Sequence, residues 1–141
     1  MRTVRDESGT RYLLLKRSSE SSLVRDPETG ERTHVPNDRL EPVEGESPLE
    51  TAAEAVADPV RRLLTATHDD RSLGLLVELD ARGPLAVTDL LDAYDLCESD
   101  LHGLLGEFRA AGLVVEATVA GQPGYDATER TADALAALDA R

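Results

Sequence analysis

The chain has 141 residues, enough for one substantial hydrophobic core or for one domain with a small appendage. It carries 28 acidic and 15 basic residues, a net charge of −13, and one cysteine, Cys97, which excludes an internal disulfide bond and a cysteine-rich zinc site. No apolar run approaches the roughly twenty residues of a membrane span, and residues 1–9 lack the apolar stretch of a secretory signal. We therefore expect a cytoplasmic protein without a membrane partner.

The acidic residues are spread along the whole chain, and 14 of the 15 basic residues are arginine. This pattern is typical of halophilic adaptation: the Debye length in molar salt is only about 3 Å, so dense like charge costs little. An ordinary acidic protein is the alternative. Residues 1–46 hold 8 basic and 10 acidic residues, whereas residues 47–141 hold 7 and 18, so the first third is the least acidic part.

Residues 1–46 are predicted to form a small antiparallel β meander of three or four strands, an accessory domain. Turn sequences around Gly9 and Gly30 separate short extended segments at residues 3–5, 10–16, 22–25 and 31–35. Residues 41–45 are interpreted as a short linker. The segment has few apolar residues, so we expect it to need support from a neighbouring domain.

Residues 47–67 are predicted to be connecting helices. Ser47 is placed as an N-cap, Pro48 occupies the first helical position, and Glu50 is placed to close a capping box. Asp58-Pro59 repeats the cap and the proline, so one helix should end there and a second should run to about Thr67.

Residues 68–141 combine helical and extended patterns. Gly83-Pro84 should end a helix, Thr88 is placed to cap the next one, Gly112 should end a third, and Thr128 is placed to cap the last. In chain order the predicted elements are a helix over 70–82, a strand over 85–87, helices over 89–94 and 98–111, strands over 113–119 and 124–127 around a loop at 120–123, and a helix over 129–140.

Three stretches of this region resemble winged helix-turn-helix transcriptional regulators of the ArsR and MarR type, especially those of haloarchaea. Residues 83–90 are similar to the start of the helix-turn-helix, residues 101–114 to the end of the recognition helix, and residues 121–128 to the wing and the closing helix. The resemblance covers about residues 59–140. It implies an α+β fold, a winged helix-turn-helix domain over residues 68–141 preceded by the β meander.

The resemblance also implies a DNA-binding transcriptional regulator and not an enzyme. In such proteins the recognition helix enters the major groove of duplex DNA with its N-terminal residues near the base edges, and the wing contacts the backbone. The residues expected at DNA are Thr88, Ser99, Asp100, His102, Gly103, Arg109, Gly121 and Gln122.

Carboxylates oppose this interpretation. Glu98, Asp100 and Glu107 lie on the face that would approach phosphate, and the predicted wing contains no arginine or lysine. A tenfold rise in salt also costs about 0.9 decades of affinity per phosphate contacted. Cations held between carboxylates and phosphates would offset part of this cost. The alternative is a non-enzymatic protein–protein interaction module on a winged-helix scaffold, using the acidic helix face or the β domain as its contact surface.

The β meander offers a second basic surface, because residues 1–40 hold 8 basic and 7 acidic residues. Arg11, Lys16 and Arg17 are the candidates for an accessory basic patch that contacts nucleic acid. The alternative is that these side chains pair with carboxylates across the strands.

Other chemistry receives little support from the sequence. Cys97 precedes the predicted recognition helix, where a helix dipole could activate a redox-sensing thiol, but we expect a small core residue. His34, His68 and His102 are isolated, and no phosphate loop, nucleophile elbow or dinucleotide fingerprint is present, so we expect no metal, no cofactor and no catalysis.

A homodimer often accompanies this fold, and the helices at 48–67 and 129–140 flank the predicted domain. Small residues of the last helix could pack between subunits, or they could face the domain's own core or solvent. These residues are Ala132, Ala134, Leu135, Ala136, Ala137 and Leu138.

Overall fold

In the computed structural model, which describes residues 1–138, the chain is α+β and divides into two compact units, residues 1–57 and residues 58–141. This boundary differs from the predicted division at residues 46 and 67, because it splits the predicted connecting helices. Thr51 is buried in the first unit, whereas Val60 and Leu63 belong to the helical core of the second. No helix within the described residues has the length and apolar composition that crossing a membrane requires.

The first unit contains an antiparallel sheet with the strand order β4-β3-β2-β1-β5. Its strands are β1 (Arg2–Arg5), β2 (Arg11–Arg17), β3 (Ser21–Arg25), β4 (Arg32–Pro36) and β5 (Glu41–Pro42). The first four lie within one residue of their predicted positions at either end. The predicted linker is wrong at its start, because Pro42 lies opposite Val4 and Glu41 lies opposite Arg5 in β5.

Helix α1 (Pro48–Ala52) covers part of one face of this sheet. Thr3 and Leu13 are opposite each other in register and therefore share one face. Helix α1 lies on that face, where the hydroxyls of Thr3 and Thr51 are 2.6 Å apart and both residues are buried. Ser47 caps α1 as predicted, since its hydroxyl accepts a hydrogen bond from the Leu49 amide at 3.1 Å.

The second unit packs helices around a leucine-rich core with Phe108 among its fully buried residues. A small sheet with the order β6-β8-β7 adjoins this core. The elements are α2 (Asp58–Ala66), α3 (Asp70–Arg82), β6 (Leu85–Ala86), α4 (Val87–Tyr94), α5 (Glu98–Ala110), β7 (Val114–Val119), β8 (Gln122–Ala127) and α6 (Glu129–Ala137). The predicted last helix extends to residue 140, which lies outside the described residues.

Two predicted caps are wrong in detail. Thr88 lies inside α4, whose N-cap is Ala86. Thr128 is the N-cap residue of α6, but its hydroxyl makes no cap hydrogen bond and donates instead to the carbonyl of Gly112 at 2.7 Å. The Thr128 hydroxyl thus bonds to a residue that is distant in sequence. The local sequence pattern does not reveal such a contact.

The hairpin of β7 and β8 is tighter than predicted. Val119 lies opposite Gln122, so only Ala120 and Gly121 form the turn, with φ of 50° and 79°. Two successive positive φ angles are the geometry of a two-residue hairpin whose twist matches its strands. Gln122 and Pro123, predicted as loop, are therefore the first residues of β8.

Replacing Gly124 with alanine is expected to separate β6 from β8 and to lower the free energy of unfolding by about 1–3 kcal/mol. Gly124 is buried opposite Ala86, and a Cβ atom there would lie 3.0 Å from the Ala86 Cα and closer still to the carbonyl oxygen of Leu85. Urea denaturation followed by circular dichroism measures the change. The control is Gly106→Ala, where a Cβ meets nothing within 4 Å. Unchanged stability of Gly124→Ala would contradict this strand contact.

Candidate nucleic-acid interface

The N-terminal half of α5 is presented to solvent. Leu101, Leu105 and Phe108 are fully buried and occupy one side of the helix. The helical period of 3.6 residues then directs the opposite side outward. The residues predicted to read DNA lie on this exposed surface, namely Ser99, Asp100, His102 and Gly103.

A hydrogen bond joins two other predicted contact residues. The Thr88 hydroxyl at the start of α4 donates to the side-chain oxygen of Gln122 in β8 at 2.9 Å. Both residues are exposed, as is Gly121 at the tip of the hairpin. The structure thus brings Thr88, Gly121 and Gln122 together at one place beside the hairpin.

Arg109 is engaged within the protein. Its Nη1 atom lies 2.7 Å from Oε1 of Glu116 on β7, and both side chains are about 60% exposed. An exposed pair of this kind contributes little to stability and exchanges readily with other ions. Arg109 is the one basic residue in α5, β7 and β8, so the surface that these elements form has no cation without a carboxylate neighbour.

The same surface is rich in carboxylates. Glu98, Asp100 and Glu107 are all exposed. Two of them contact histidines: Nε2 of His68 lies 2.6 Å from Oε2 of Glu107, and Nε2 of His102 lies 3.7 Å from Oε1 of Glu98. His68 precedes α3, so its contact with Glu107 connects the start of α3 with α5. The sequence identified the acidic residues but not these partners.

Cys97 is exposed, so the prediction of a core residue is wrong. It is the N-cap of α5, and its sulfur accepts a hydrogen bond from the Asp100 amide at 3.4 Å. The first amides of a helix have no acceptor within the helix. The Cys97 thiol supplies an acceptor for one of them.

A polar network holds α3 against α4. The Tyr94 hydroxyl donates to Oε1 of Glu78 at 2.8 Å and accepts from Nη1 of Arg82 at 2.5 Å. Burial raises the pKa of Tyr94 above its ordinary value of 10.0; the hydrogen bond and the charge of Glu78 act in the same direction, and Arg82 opposes them. The neutral phenol therefore contributes to the placement of the two helices.

Tyr94 is expected to titrate above pH 10.0 in the folded protein. A raised pKa in the folded state means that its contribution to stability is complete below the unfolded value and is lost as the pH rises through the folded value. Carbon-13 NMR of labelled tyrosine, assigned with the Tyr94→Phe variant, measures the midpoint. A midpoint at or below 10.0 would contradict both the burial of Tyr94 and its contact with Glu78.

The three residues of the predicted accessory basic patch differ in their contacts. Arg11 pairs with Glu46 at 3.1 Å and with Glu54 at 3.7 Å, so it is paired within the protein, but with residues outside the sheet and not with carboxylates across the strands. Lys16 and Arg17 instead line a groove on the first unit together with Arg2. Sequence reasoning missed Arg2, because only the register of β1 against β2 places it near the end of β2.

Two further predictions concern metals and the last helix. Within residues 1–138 no group of three or more histidine, cysteine, aspartate or glutamate side chains is arranged to hold a metal ion. In α6, Ala134 and Leu135 face the core of their own unit, and Leu138 just beyond it is 47% exposed. Ala134 and Leu135 are thus not free to pack against another subunit.

Together these features define an α+β protein with an antiparallel β meander, whose second unit presents an exposed helix beside a tight hairpin. Residues 1–139 match the model of the Family of unknown function (DUF7346). The chain belongs to this family. No curated protein and no solved structure matches the chain significantly.

Proposed function

We propose that the second unit is a winged helix and that the protein is a DNA-binding transcriptional regulator of a salt-adapted archaeon. The observation that carries this proposal is the order α3, β6, α4, α5, β7, β8, with α5 exposed beside a two-residue hairpin. Helix-turn-helix proteins place such a second helix in the major groove. A hairpin in this position serves as the wing.

In this arrangement the N-terminal half of α5 reads the bases. Ser99 and His102 supply hydrogen-bonding side chains, and Gly103 lies next to His102 on the same exposed surface. Thr88 and Gln122, joined at 2.9 Å, contact the phosphate backbone beside the groove. Gly121 gives the tip of the wing a narrow profile.

The carboxylates of this surface would repel the phosphates of DNA, so binding requires a mechanism that offsets the repulsion. Arg109 exchanges its contact with Glu116 for a phosphate, which costs little because the pair is exposed. Glu98, Asp100 and Glu107 repel phosphates unless cations lie between them. We therefore propose that bound potassium or sodium ions bridge this acidic surface to DNA, so that binding needs high salt.

The test is selection of genomic duplex fragments with the full chain, followed by fluorescence anisotropy across a potassium chloride series. We expect a selected fragment to bind with an affinity that is maintained or rises as salt increases to the molar range. Ordinary phosphate contacts would instead weaken binding by about 0.9 decades per contact for each tenfold rise in salt. Such a decline would refute cation bridging, and failure to enrich any fragment would refute DNA binding.

The acidic surface favours a second candidate, a non-enzymatic protein–protein interaction module on the same scaffold. Its supporting observation is that Arg109, the one cation of α5 and the hairpin, already faces Glu116. A basic protein segment would be attracted by Glu98, Asp100 and Glu107 without bridging ions. In-cell crosslinking to a basic protein from residues of α5, with no crosslink to DNA, would favour this candidate.

A further inference from the structure

Three basic residues of the first unit border one groove: Arg2 on β1 and Lys16 and Arg17 on β2. Among the described residues, none of the three has a carboxylate oxygen within 4.0 Å. Arg5 and Arg11, which lie on the same two strands, are both paired with glutamates. In a chain with 28 acidic residues, three adjacent cations without such partners leave a local positive site.

The floor of the groove is apolar. Its volume is about 510 Å³, and the side chains of Val4, Leu14, Leu15 and Leu40 contribute to its walls. A volume of roughly 300–1,000 Å³ with apolar walls and a few polar groups is typical of small-molecule sites. The groove can therefore hold the apolar body of a ligand beside cations at its border.

The acidic and polar groups of the groove are satisfied within the protein. Oε1 of Glu41 at the rim lies 2.6 Å from Nε of Arg5, which balances its charge. The Ser22 hydroxyl donates to the side-chain oxygen of Asn37 at 2.5 Å, and the Asn37 amide nitrogen donates to the Ser18 carbonyl at 2.7 Å. The acidic side chain and these two polar side chains of the groove thus already have partners, whereas Arg2, Lys16 and Arg17 have no carboxylate partner among the described residues.

A β-bulge in β2 places Arg17 at this groove. Leu14 lies opposite Val24 and Lys16 lies opposite Leu23, so Leu15 is an extra residue in β2. The extra residue shifts the alternation of side chains by one position. Arg17 is therefore opposite Ser22 and on the face that carries Leu14, whereas a regular strand would direct it to the other face. Arg2 lies opposite Leu14 and shares this face, while Lys16 lies opposite Leu23 and is directed to the other face.

We propose that this groove binds a small amphipathic organic anion, a carboxylate or sulfonate with a hydrocarbon or aromatic body. The cations of Arg2 and Arg17, which lie on the same face of the sheet as Leu14, would hold the acidic group, and the leucines would cover the body. Nucleic acid suits the groove less well, because none of its lining residues is aromatic and bases would find no stacking partner. The proposal concerns the first unit and is independent of DNA binding by the second.

The test is a fluorescence titration of the full chain with anilinonaphthalene sulfonate at constant potassium chloride, with decanoate as a competitor. The double variant Arg2→Gln, Arg17→Gln is expected to lose at least about tenfold in affinity, because each cation contributes a charge-assisted hydrogen bond. The matched control is Arg25→Gln, Arg32→Gln, which removes two facing cations of β3 and β4 outside the groove. The control is expected to bind as the unchanged protein does.

Two results distinguish this site from a general attraction of anions. Adding decanoate is expected to shift the NMR amide signals of residues 14–17, and duplex DNA is expected not to displace the probe. Equal losses in both double variants, shifts confined to other residues, or displacement by DNA would each overturn the proposal. Circular dichroism of every variant confirms that the first unit remains folded.

Discussion

Replacing Phe108 with alanine is expected to lower the free energy of unfolding by about 3–5 kcal/mol, the usual cost of truncating a buried aromatic side chain. Phe108 is fully buried in the core of the second unit, and its carbonyl accepts a hydrogen bond from the Leu113 amide at 2.8 Å. It therefore anchors the end of α5 and the chain that leads into β7. The truncation leaves a cavity where helices and hairpin meet.

Urea denaturation at constant salt measures this effect without changing ionic strength. The matched control is Leu64→Ala on α2, whose side chain is 56% exposed. A surface change of this kind is expected to alter stability by no more than about 0.5 kcal/mol. A loss below about 1 kcal/mol for Phe108→Ala would mean that the core around α5 differs from the structure described.

Substitutions at Gly103 are expected to change DNA affinity in opposite directions. Gly103 is exposed on α5, and a Cβ atom there would meet nothing within 4 Å. Gly103→Ala is expected to stabilise the helix by roughly 0.5–1 kcal/mol and serves as the reference. Relative to it, Gly103→Arg should tighten binding to a selected duplex about tenfold, and Gly103→Glu should weaken it by a similar factor.

The three variants change the same exposed position. Arginine and glutamate are both long side chains, so the difference in DNA affinity between these two variants reports mainly the sign of the charge. Fluorescence anisotropy at one fixed potassium chloride concentration gives the three affinities. Equal affinities of the arginine and glutamate variants would place DNA away from α5. A glutamate variant that loses no DNA affinity but binds a basic protein more tightly would favour the interaction module.

Much of the secondary structure follows from local sequence. The helix α3 begins and ends at its predicted residues, because Asp69 caps its start and Gly83-Pro84 cannot continue it. The side chain of Asp69 accepts a hydrogen bond from the Ser72 backbone, and this bond lowers the pKa of Asp69. Caps and breakers act over three or four residues, so a single sequence reveals them.

Pairings between distant residues could not be predicted in this way. The strand β5 has only two residues, and its pairing with Val4 depends on a return of the chain across nearly forty positions. The local pattern predicts a loop at Gln122, yet this residue lies opposite Val119 in the hairpin and accepts a hydrogen bond from Thr88. The pattern predicts a core position for Cys97, yet this residue caps α5 and is exposed to solvent.

At the candidate sites, too, local sequence predicts some features and contacts between distant residues decide the others. The positions of Ser99, His102 and Gly103 on the exposed side of α5 follow from the spacing of the buried leucines and Phe108. The sequence also identified Arg11, Lys16 and Arg17 as basic residues of the first unit, but it could not distinguish among them. The register and the bulge of β2 pair Arg11 with glutamates and bring Arg17 beside Leu14.

The sequence by itself determined most of the elements, their order and the excess of negative charge, because these depend on composition and on contacts a few residues apart. Only the tertiary structure decided which cations are neutralised and which remain available. Arg109 faces Glu116, whereas Lys16 and Arg17 remain without a carboxylate neighbour among the described residues. Such pairing depends on strand register and helix packing, which bring together residues that no local pattern connects.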